Sequence, residues 1–481
     1  MEFITKVYKM SDKLAIYFPK NRQIYYKGVI ILVLIIKQHN KIEMIAKFNY
    51  NIIIRKDFVE LLNLKEGDKI KVIIKEIKNI NRTKELFCNN KIDLLNLIPK
   101  KTSCGYEIIV TKIIKNDEEW LRIWYSHDRG SGRQLEIRRF VDIKKFGSLL
   151  GQYQAEGTKN KSNKSKSLLR FTNKTIEEHI DYLNSLYDLG IQKDDIEIRF
   201  TYDPKLFSNT EIDSILLQFT SKTMLSIKVN SEEDLGGWAF ATIIRNTILT
   251  EIILYSMDKI RNMFAKSKSN GYLENYLLEN FLSKLLQGDG TLDVTMDKKY
   301  NYPEIKIKIV DQDLNYLNDY KHILQNLNFK VCLNEKHIFV RSSCGINHLF
   351  FLYKIKAFKN SNNWNKLLIA IDLALNGRRL STLKRYLDLV KYQKFSASQV
   401  AKLYNIVTRS SYYWLQNATN DGYILKINEN GKEIYWETTE KAKIFTKFLK
   451  IIQNDINELK SKIGTEDSKV ILKSLKLKNK N

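Results

Sequence analysis

Two apolar runs at helical spacing, Leu149 to Gly157 (LLGQYQAEG) and Leu282 to Gly290 (LSKLLQGDG), each end in a small residue, an acid and a glycine. The spacing predicts a helix for each, closed by Gly157 or Gly290 in the left-handed conformation. Glu156 and Asp289 then fall in the last turn, where the helix macrodipole disfavours an acid by a few tenths to about 1 kcal/mol. Two such local violations in one chain point to function. The stretches after the two runs are also alike. After Gly157 come a Lys/Ser/Asn tract, a strand from Leu168 to Thr172, a helix from Thr175 to Leu189 closed by Gly190, and a strand from Ile196 to Tyr202. After Gly290, Ile305, Ile307 and Ile309 alternate with Lys306 and Lys308, a helix is expected from Asp313 to Leu327, and a hairpin from Lys330 to Leu333 and Ile338 to Arg341. Phe240 to Phe264 is apolar at helical spacing and predicts one core helix containing Ile243, Ile244, Ile248 and Ile252, followed by a linker from Lys266 to Gly271.

The flanks carry different patterns. Lys13 to Ile36 and Asn51 to Ile74 echo each other as strand, basic turn, short helix or turn, glycine turn and strand, with Ile70, Val72 and Ile74 alternating. Residues 1–78 thereby resemble the AbrB-like swapped-hairpin β domains of DNA-binding regulators, and Lys20, Arg22, Arg55 and Lys56 in the turns favour DNA. A β module used for packing alone is the other reading. Residues 79–145 read as a polar connector and then strands, Tyr106 to Ile114, Trp120 to Tyr125 and Leu135 to Val141, with His127 in a loop and given no role. Beyond the core, Leu380 to Val390 looks helical, and Ser396 or Ser398 can cap a short helix through Leu403. A turn at Tyr404 to Ile406, a helix from Thr408 to Asn417, and a hairpin of Tyr423 to Ile427 with Glu433 to Glu437 come next. Residues 380–450 so ordered resemble a winged helix, which implies that Arg409 and Tyr413 begin a helix entering the major groove. Such modules also bind proteins. Residues 451–481 read as a charged helical tail.

Charge narrows the function classes. Among 481 residues, 80 Lys+Arg against 54 Asp+Glu give a formal charge of +26, which predicts an acidic partner, most often nucleic acid. The longest apolar run, Val29 to Ile36, is strand-length, so no spanning helix is expected, and the N-terminus lacks the apolar core of a signal peptide. A cytoplasmic protein is therefore the expectation. Cys88, Cys104, Cys332 and Cys344 form no paired motif and the histidines no ligand spacing, which disfavours a zinc site or disulfide framework.

The ordered duplication headed by LLGQYQAEG and LSKLLQGDG resembles the two-motif LAGLIDADG homing endonucleases, over roughly Phe146 to Phe358. The resemblance implies an α+β fold with a pseudo-twofold duplicated core at residues 146–375, its halves of αββαββα type, acting as a monomer. It implies motif helices packed side by side and curved sheets in the DNA major groove. It also implies that Glu156 and Asp289 bind Mg²⁺, or another divalent cation, at the cleaved phosphates of double-stranded DNA. Small residues four apart, Gly151 and Ala155, suit close helix packing, and metal keeps two neighbouring carboxylates ionised. Lys306, Lys308 and Arg170 are candidate DNA contacts, and Lys228 and Arg341, at roughly matching places in the two halves, are candidate catalytic cations. Three departures stand out. Lys284 occupies a usual glycine position, which predicts looser packing or an ammonium snorkelling to the edge; Gln154 and Gln287 stand where aspartate is common; and Glu156 replaces aspartate. A DNA-binding regulator that lost cleavage is the alternative, and RNA processing or splicing assistance a third.

Overall fold

The computed structural model describes the chain except for residues 1, 19–29, 48–50, 78, 83–84, 126–133, 159–167, 267–270, 298–301, 335–336, 342–345, 360, 377–387, 430–432 and 465–481. With 46% helix and 32% strand, distributed over separate sheets, the fold class is α+β as expected. Two compact units divide the chain, Met1–Gly288 and Asp289–Asn481. Among the described residues no helix is long and apolar enough to cross a membrane.

The first unit begins with β1 (Glu2–Met10), β2 (Lys13–Tyr17), β3 (Ile30–Lys37), β4 (Asn40–Lys47), β5 (Asn51–Ile53), the short helix α1 (Lys56–Leu61) and β6 (Lys69–Glu76). The strands form an antiparallel sheet in the order β4-β3-β6-β1-β2-β5. Ile70, Val72 and Ile74 enter its core with Val7, Ile16 and Val33, so the period-2 pattern sets the buried face. Arg55 pairs with Asp57 and lies over the Phe58 ring, and Lys56 is exposed; Lys20, Arg22 and His127 lie outside the described residues.

Residues 79–145 contain the expected strands after the connector, and further short ones. The short strands β7 (Phe87–Cys88), β8 (Lys91–Asp93) and β12 (Phe140–Asp142) pair with one another, and β9 (Ile108–Lys115), β10 (Glu118–Tyr125) and β11 (Gln134–Arg138) form a second sheet. In the stretch that reads as polar, Leu94, Leu95, Leu97 and Ile98 are wholly buried. A single 3-10 turn, capped by Asp93 accepting from the Leu95 amide, turns them inward; so short a run carries no periodicity to detect.

The remainder of the first unit is α2 (Ile143–Glu156), β13 (Leu169–Asn173), α3 (Ile176–Leu189), β14 (Ile196–Tyr202), α4 (Asn209–Thr223), β15 (Ile227–Ser231), β16 (Trp238–Ile244), α5 (Thr247–Lys266) and α6 (Tyr272–Gly288). The sheet order is β13-β16-β14-β15, with β14 and β15 parallel. Two expectations need correction. Phe240 to Phe264 is not one helix: Phe240 to Ile244 belong to β16, Asn246 accepts from the Leu249 amide to start α5, and a continuous apolar run hides the change of period. The first half is also not a plain αββαββα unit, because α4 and β15 intervene between β14 and β16. A capping box at Ser208 and Glu211 starts α4, a signal present in the sequence as Ser-x-x-Glu.

The second unit continues with β17 (Gly290–Asp297), β18 (Tyr302–Val310), α7 (Leu314–Asn326), β19 (Lys330–Asn334), β20 (His337–Arg341), α8 (Ile346–Lys354) and α9 (Asn362–Asn376), in an antiparallel sheet ordered β17-β18-β20-β19. Register matches the halves. Gly157 bridges Phe171 as Gly290 pairs with Ile309, and four residues beyond each partner stand the N-caps Thr175 and Asp313. Tyr182 and Tyr320 then coincide, both fully buried. Phe171 pairs with Thr242 and Ile309 with Ile338, so β16 answers to β20 and β14 to β19; α4 and β15 are an insertion.

The unit closes with β21 (Phe395–Ser396), α10 (Ala397–Leu403), α11 (Thr408–Asn420), β22 (Ile424–Glu429), β23 (Glu433–Thr438) and α12 (Glu440–Ile463). Helix, turn, helix and hairpin thus occur in the expected order. Ser396 caps α10 in a box with Gln399, Asn405 turns with positive φ, and the Ser411 hydroxyl joins α11 to Ala397. Most of Leu380 to Val390 lies outside the described residues.

Candidate active site

Helix α2 is built to lie against α6. Gly147, Gly151 and Ala155 recur every four residues on one face. A Cβ on Gly151 would fall 2.3 Å from the Phe281 carbonyl oxygen, and one on Gly147 would fall 2.9 Å from that of Leu277. On α6, a Cβ on Gly288 would fall 2.5 Å from the Ala155 Cβ. The two backbones therefore approach where side chains are missing, as the small-residue spacing predicts.

The closing glycines act differently from expectation. Neither Gly157 nor Gly290 has positive φ; Gly157 is extended at φ −80° and ψ 148°, and Gly290 opens β17. Gly157 is needed for space, since a Cβ there would lie 2.4 Å from Tyr153 atoms. The chain leaves each helix directly into strand pairing instead of turning through a left-handed cap.

Glu156 is the last residue of α2 and half-exposed; the last turns of α2 and α6 contain no basic residue. The missing Cβ of Gly288 would sit 3.3 Å from Glu156 Cγ and 3.5 Å from its Oε1. Asp289, half-exposed in a turn, is joined to Gly288 by one peptide bond and begins the second unit.

Behind this helix pair lies a buried carboxylate, Glu178 of α3, for which the sequence carries no local signal. It accepts from Gln152 Nε2 at 2.8 Å, Gln287 Nε2 at 2.7 Å and Lys284 Nζ at 3.0 Å, while Lys284 also reaches Asp181 at 2.8 Å. Lys284 accordingly neither loosens the packing nor snorkels freely. Its stem leaves α6 beside Gly151 and its ammonium is held by carboxylates of α3. Gln154, where an aspartate is common in the resembled family, is fully buried and accepts from Arg261 Nη1 at 3.2 Å. The aspartate-to-glutamine departures thus give neutral partners to a buried cation and a buried anion.

The expected cations divide. Lys228 is exposed on β15, 3.5 Å from Glu197 Oε2, and belongs to the insertion, so it does not match Arg341. Three residues beyond Thr242 is Arg245, and three beyond Ile338 is Arg341; these are the matched pair, foreshadowed by the similar IIRN and FVRS. Arg245 Nε lies 3.6 Å from Glu197 Oε2, and Arg199, with help from Lys228 and Arg245, holds that carboxyl below the usual carboxylate range. Glu197, Lys228 and Arg245 share an open cavity of about 460 Å³ with Asp194 and Asp195. Arg341 ends β20 opposite Lys306 and Lys330, and its side chain lies outside the described residues.

Lys306 and Lys308 are half-exposed on β18 opposite Asp293 and Thr291, and Ile305, Ile307 and Ile309 are buried, as the alternation predicts. Arg170 is exposed on β13 with its Nε 3.3 Å from Thr172 Oγ1, and register makes it the counterpart of Lys308. In the first turns of α11 the Arg409 guanidinium sits 5.9 Å from the centre of the exposed Tyr413 ring. Among the described residues no group of three or more His, Cys, Asp or Glu could hold a metal by itself. No protein-family model matches the chain, and no curated protein matches it.

Proposed function

We propose that the chain is a site-specific double-strand DNA endonuclease of the homing type, hydrolysing phosphodiester bonds with a divalent cation, on a duplicated LAGLIDADG-like core flanked by AbrB-like and winged-helix DNA-binding modules. The observation that carries this reading is the close approach of α2 and α6, which sets Glu156 against Gly288, the residue before Asp289. Mg²⁺ fits the donors by their chemistry: it takes carboxylate, water and phosphate oxygens, and the close approach at Gly288 keeps the Glu156 carboxylate beside the end of α6, one residue from Asp289. Glu156 and Asp289 would hold the ion, which when bound polarises the phosphate and lowers the pKa of water. The chain's own residues supply the rest. Arg245 and Arg341 offer cations for charge developing on the phosphate. Arg170, Lys306 and Lys308 position the backbone of double-stranded DNA, and Arg409 and Tyr413 add contacts from the helix that would enter the groove.

The test is cleavage of a plasmid library carrying the chain's own genomic flanks, with Mg²⁺ and with chelator. Metal-dependent cutting that disappears in Glu156→Gln and Asp289→Asn, with binding retained, supports the enzyme. Specific binding without cutting under any divalent metal turns the conclusion to a DNA-binding regulator, and preference for structured RNA turns it to RNA processing.

A further inference from the structure

The N-terminal sheet has a second face that the proposed cleavage does not use. Its inner face carries Val7, Ile16, Ile70 and Val72; register puts Ile4, Lys6, Tyr8 and Met10 of β1, Lys13 and Tyr17 of β2, and Lys69 and Lys71 of β6 together on the other side. A solvent-facing sheet is ordinarily polar, yet Ile4 is 74% exposed, Tyr17 53% and Met10 41%. The Tyr8 and Tyr17 rings are stacked, 3.7 Å between centroids and 12° between planes.

Charge points the same way. Lys6 and Lys69 are exposed and directly opposite each other in the register, a like-charge pairing that costs stability in an isolated sheet. Neither they nor Lys13 have an ion-pair partner among the described residues, and Lys71 pairs with Glu2 at 2.6 Å. Ammonium groups flanking a stacked aromatic pair and bare aliphatic surface suit a polyanion with flat, unpaired rings. The neutral Asn51 amide is used on Met10 Sδ at 3.4 Å and the Tyr8 hydroxyl is buried, so apart from the Tyr17 hydroxyl the face offers ammonium, ring and methyl groups, and few neutral groups to read a 2′-hydroxyl.

We propose that this face is a binding platform for single-stranded DNA, with a base stacking on the exposed Tyr17 ring, which Tyr8 backs, and phosphates meeting Lys6, Lys13, Lys69 and Lys71. The platform is independent of Glu156 and Asp289.

Anisotropy of a labelled oligo-dT of about 12 nucleotides, a length within the range of single-strand sites, is measured on the full chain with excess unlabelled duplex. Tyr17→Ala and Tyr8→Ala are expected to weaken binding roughly tenfold or more while duplex affinity stays unchanged. Lys69→Glu faces Lys6 and should raise the melting temperature while weakening the oligonucleotide and flattening its salt slope by about 0.7 or more. A merely structural role would leave binding unmoved. Failure of the wild type to bind oligo-dT, unchanged binding by the folded variants, equal loss of duplex affinity, or tighter binding of oligo-rU each overturns the proposal. A chain that cuts duplex but fails here loses only the platform; one that binds here and never cuts loses only the nuclease.

Discussion

The stretches that follow the two motif helices keep one register and fill it differently. Each runs from a motif helix through a glycine paired to the next strand, Gly157 with Phe171 and Gly290 with Ile309, to an N-cap and a helix with a buried tyrosine, Tyr182 or Tyr320. The first half adds α4 and β15, stabilises a buried carboxylate at Glu178 where the second has Tyr316, and sets His179 against Thr242 where the second has Leu317 and Ile338. The shared features are those that set register and helix approach, since a one-residue slip would turn every strand inside out. Packing partners vary because cores tolerate exchange when volume is kept.

The largest expected effect tests which cations correspond. Arg245→Ala and Arg341→Ala should each slow single-turnover cleavage by about 10²- to 10³-fold, and Lys228→Ala should leave it near wild type. Equal losses at Lys228 and Arg245 would break the register match. Next is the hub around Glu178, whose matching position in the second half is Tyr316. Glu178→Leu leaves Lys284 with Asp181 as its remaining carboxylate partner among the described contacts, and should cost about 3 kcal/mol in urea unfolding. Adding Lys284→Met should recover most of that, because an apolar pair replaces a buried ionic one.

Local signals decide how much of the fold and of the site was legible in the sequence. The helix from Thr175 to Leu189 and the strand from Ile196 to Tyr202 could be placed nearly to the residue, because an N-cap, a left-handed Gly190 and clean alternation all agree. The run Phe240 to Phe264 could not, since β-branched residues that are buried on both faces erase the period. Gly151 and Ala155 were readable as packing positions, but Glu178 was not: a single acid on an amphipathic helix looks solvated until the tertiary fold brings Gln152, Lys284 and Gln287 to it. Arg245 is hidden in the sequence because the inserted α4 and β15 shift every count between the halves.

His179 sharpens the comparison through pH. Its Nε2 donates to the Asn173 carbonyl at 3.1 Å and its Nδ1 accepts from Thr242 at 2.9 Å, a neutral ring that burial pushes down to about 4 from 6.5. A folded value below the unfolded one means stability fully present above pH 6.5 and lost progressively as pH falls toward 4, up to about 3 kcal/mol. Urea midpoints near neutral pH and near the lower end should show that loss. Exchanging in the second half's residues, His179→Leu with Thr242→Ile, should flatten it; an unchanged slope would assign the pH dependence elsewhere.

The smallest effects separate the two motif helices at their contact. Alanine in place of glycine raises helix propensity by about 1 kcal/mol, so any net loss measures the clash beyond that gain. At Gly151 the new methyl meets a backbone oxygen, Phe281 O at 2.3 Å, which can move only if α6 moves, and a net loss of about 2 kcal/mol is expected. At Gly288 it meets the Ala155 methyl at 2.5 Å, and Gly288 and Ala155 are matched positions of the two motifs. Gly288→Ala should therefore cost about 1 kcal/mol, and Ala155→Gly in the same chain should return the stability to within about 0.5 kcal/mol of wild type once propensities cancel. Gly151→Ala has no such remedy in a side chain. Rescue at Gly288 with none at Gly151 would show the helices held by backbone approach at one level and by interchangeable methyl volume at the other; rescue at neither would mean that Glu156 depends on Gly288 for space as much as Ala155 does.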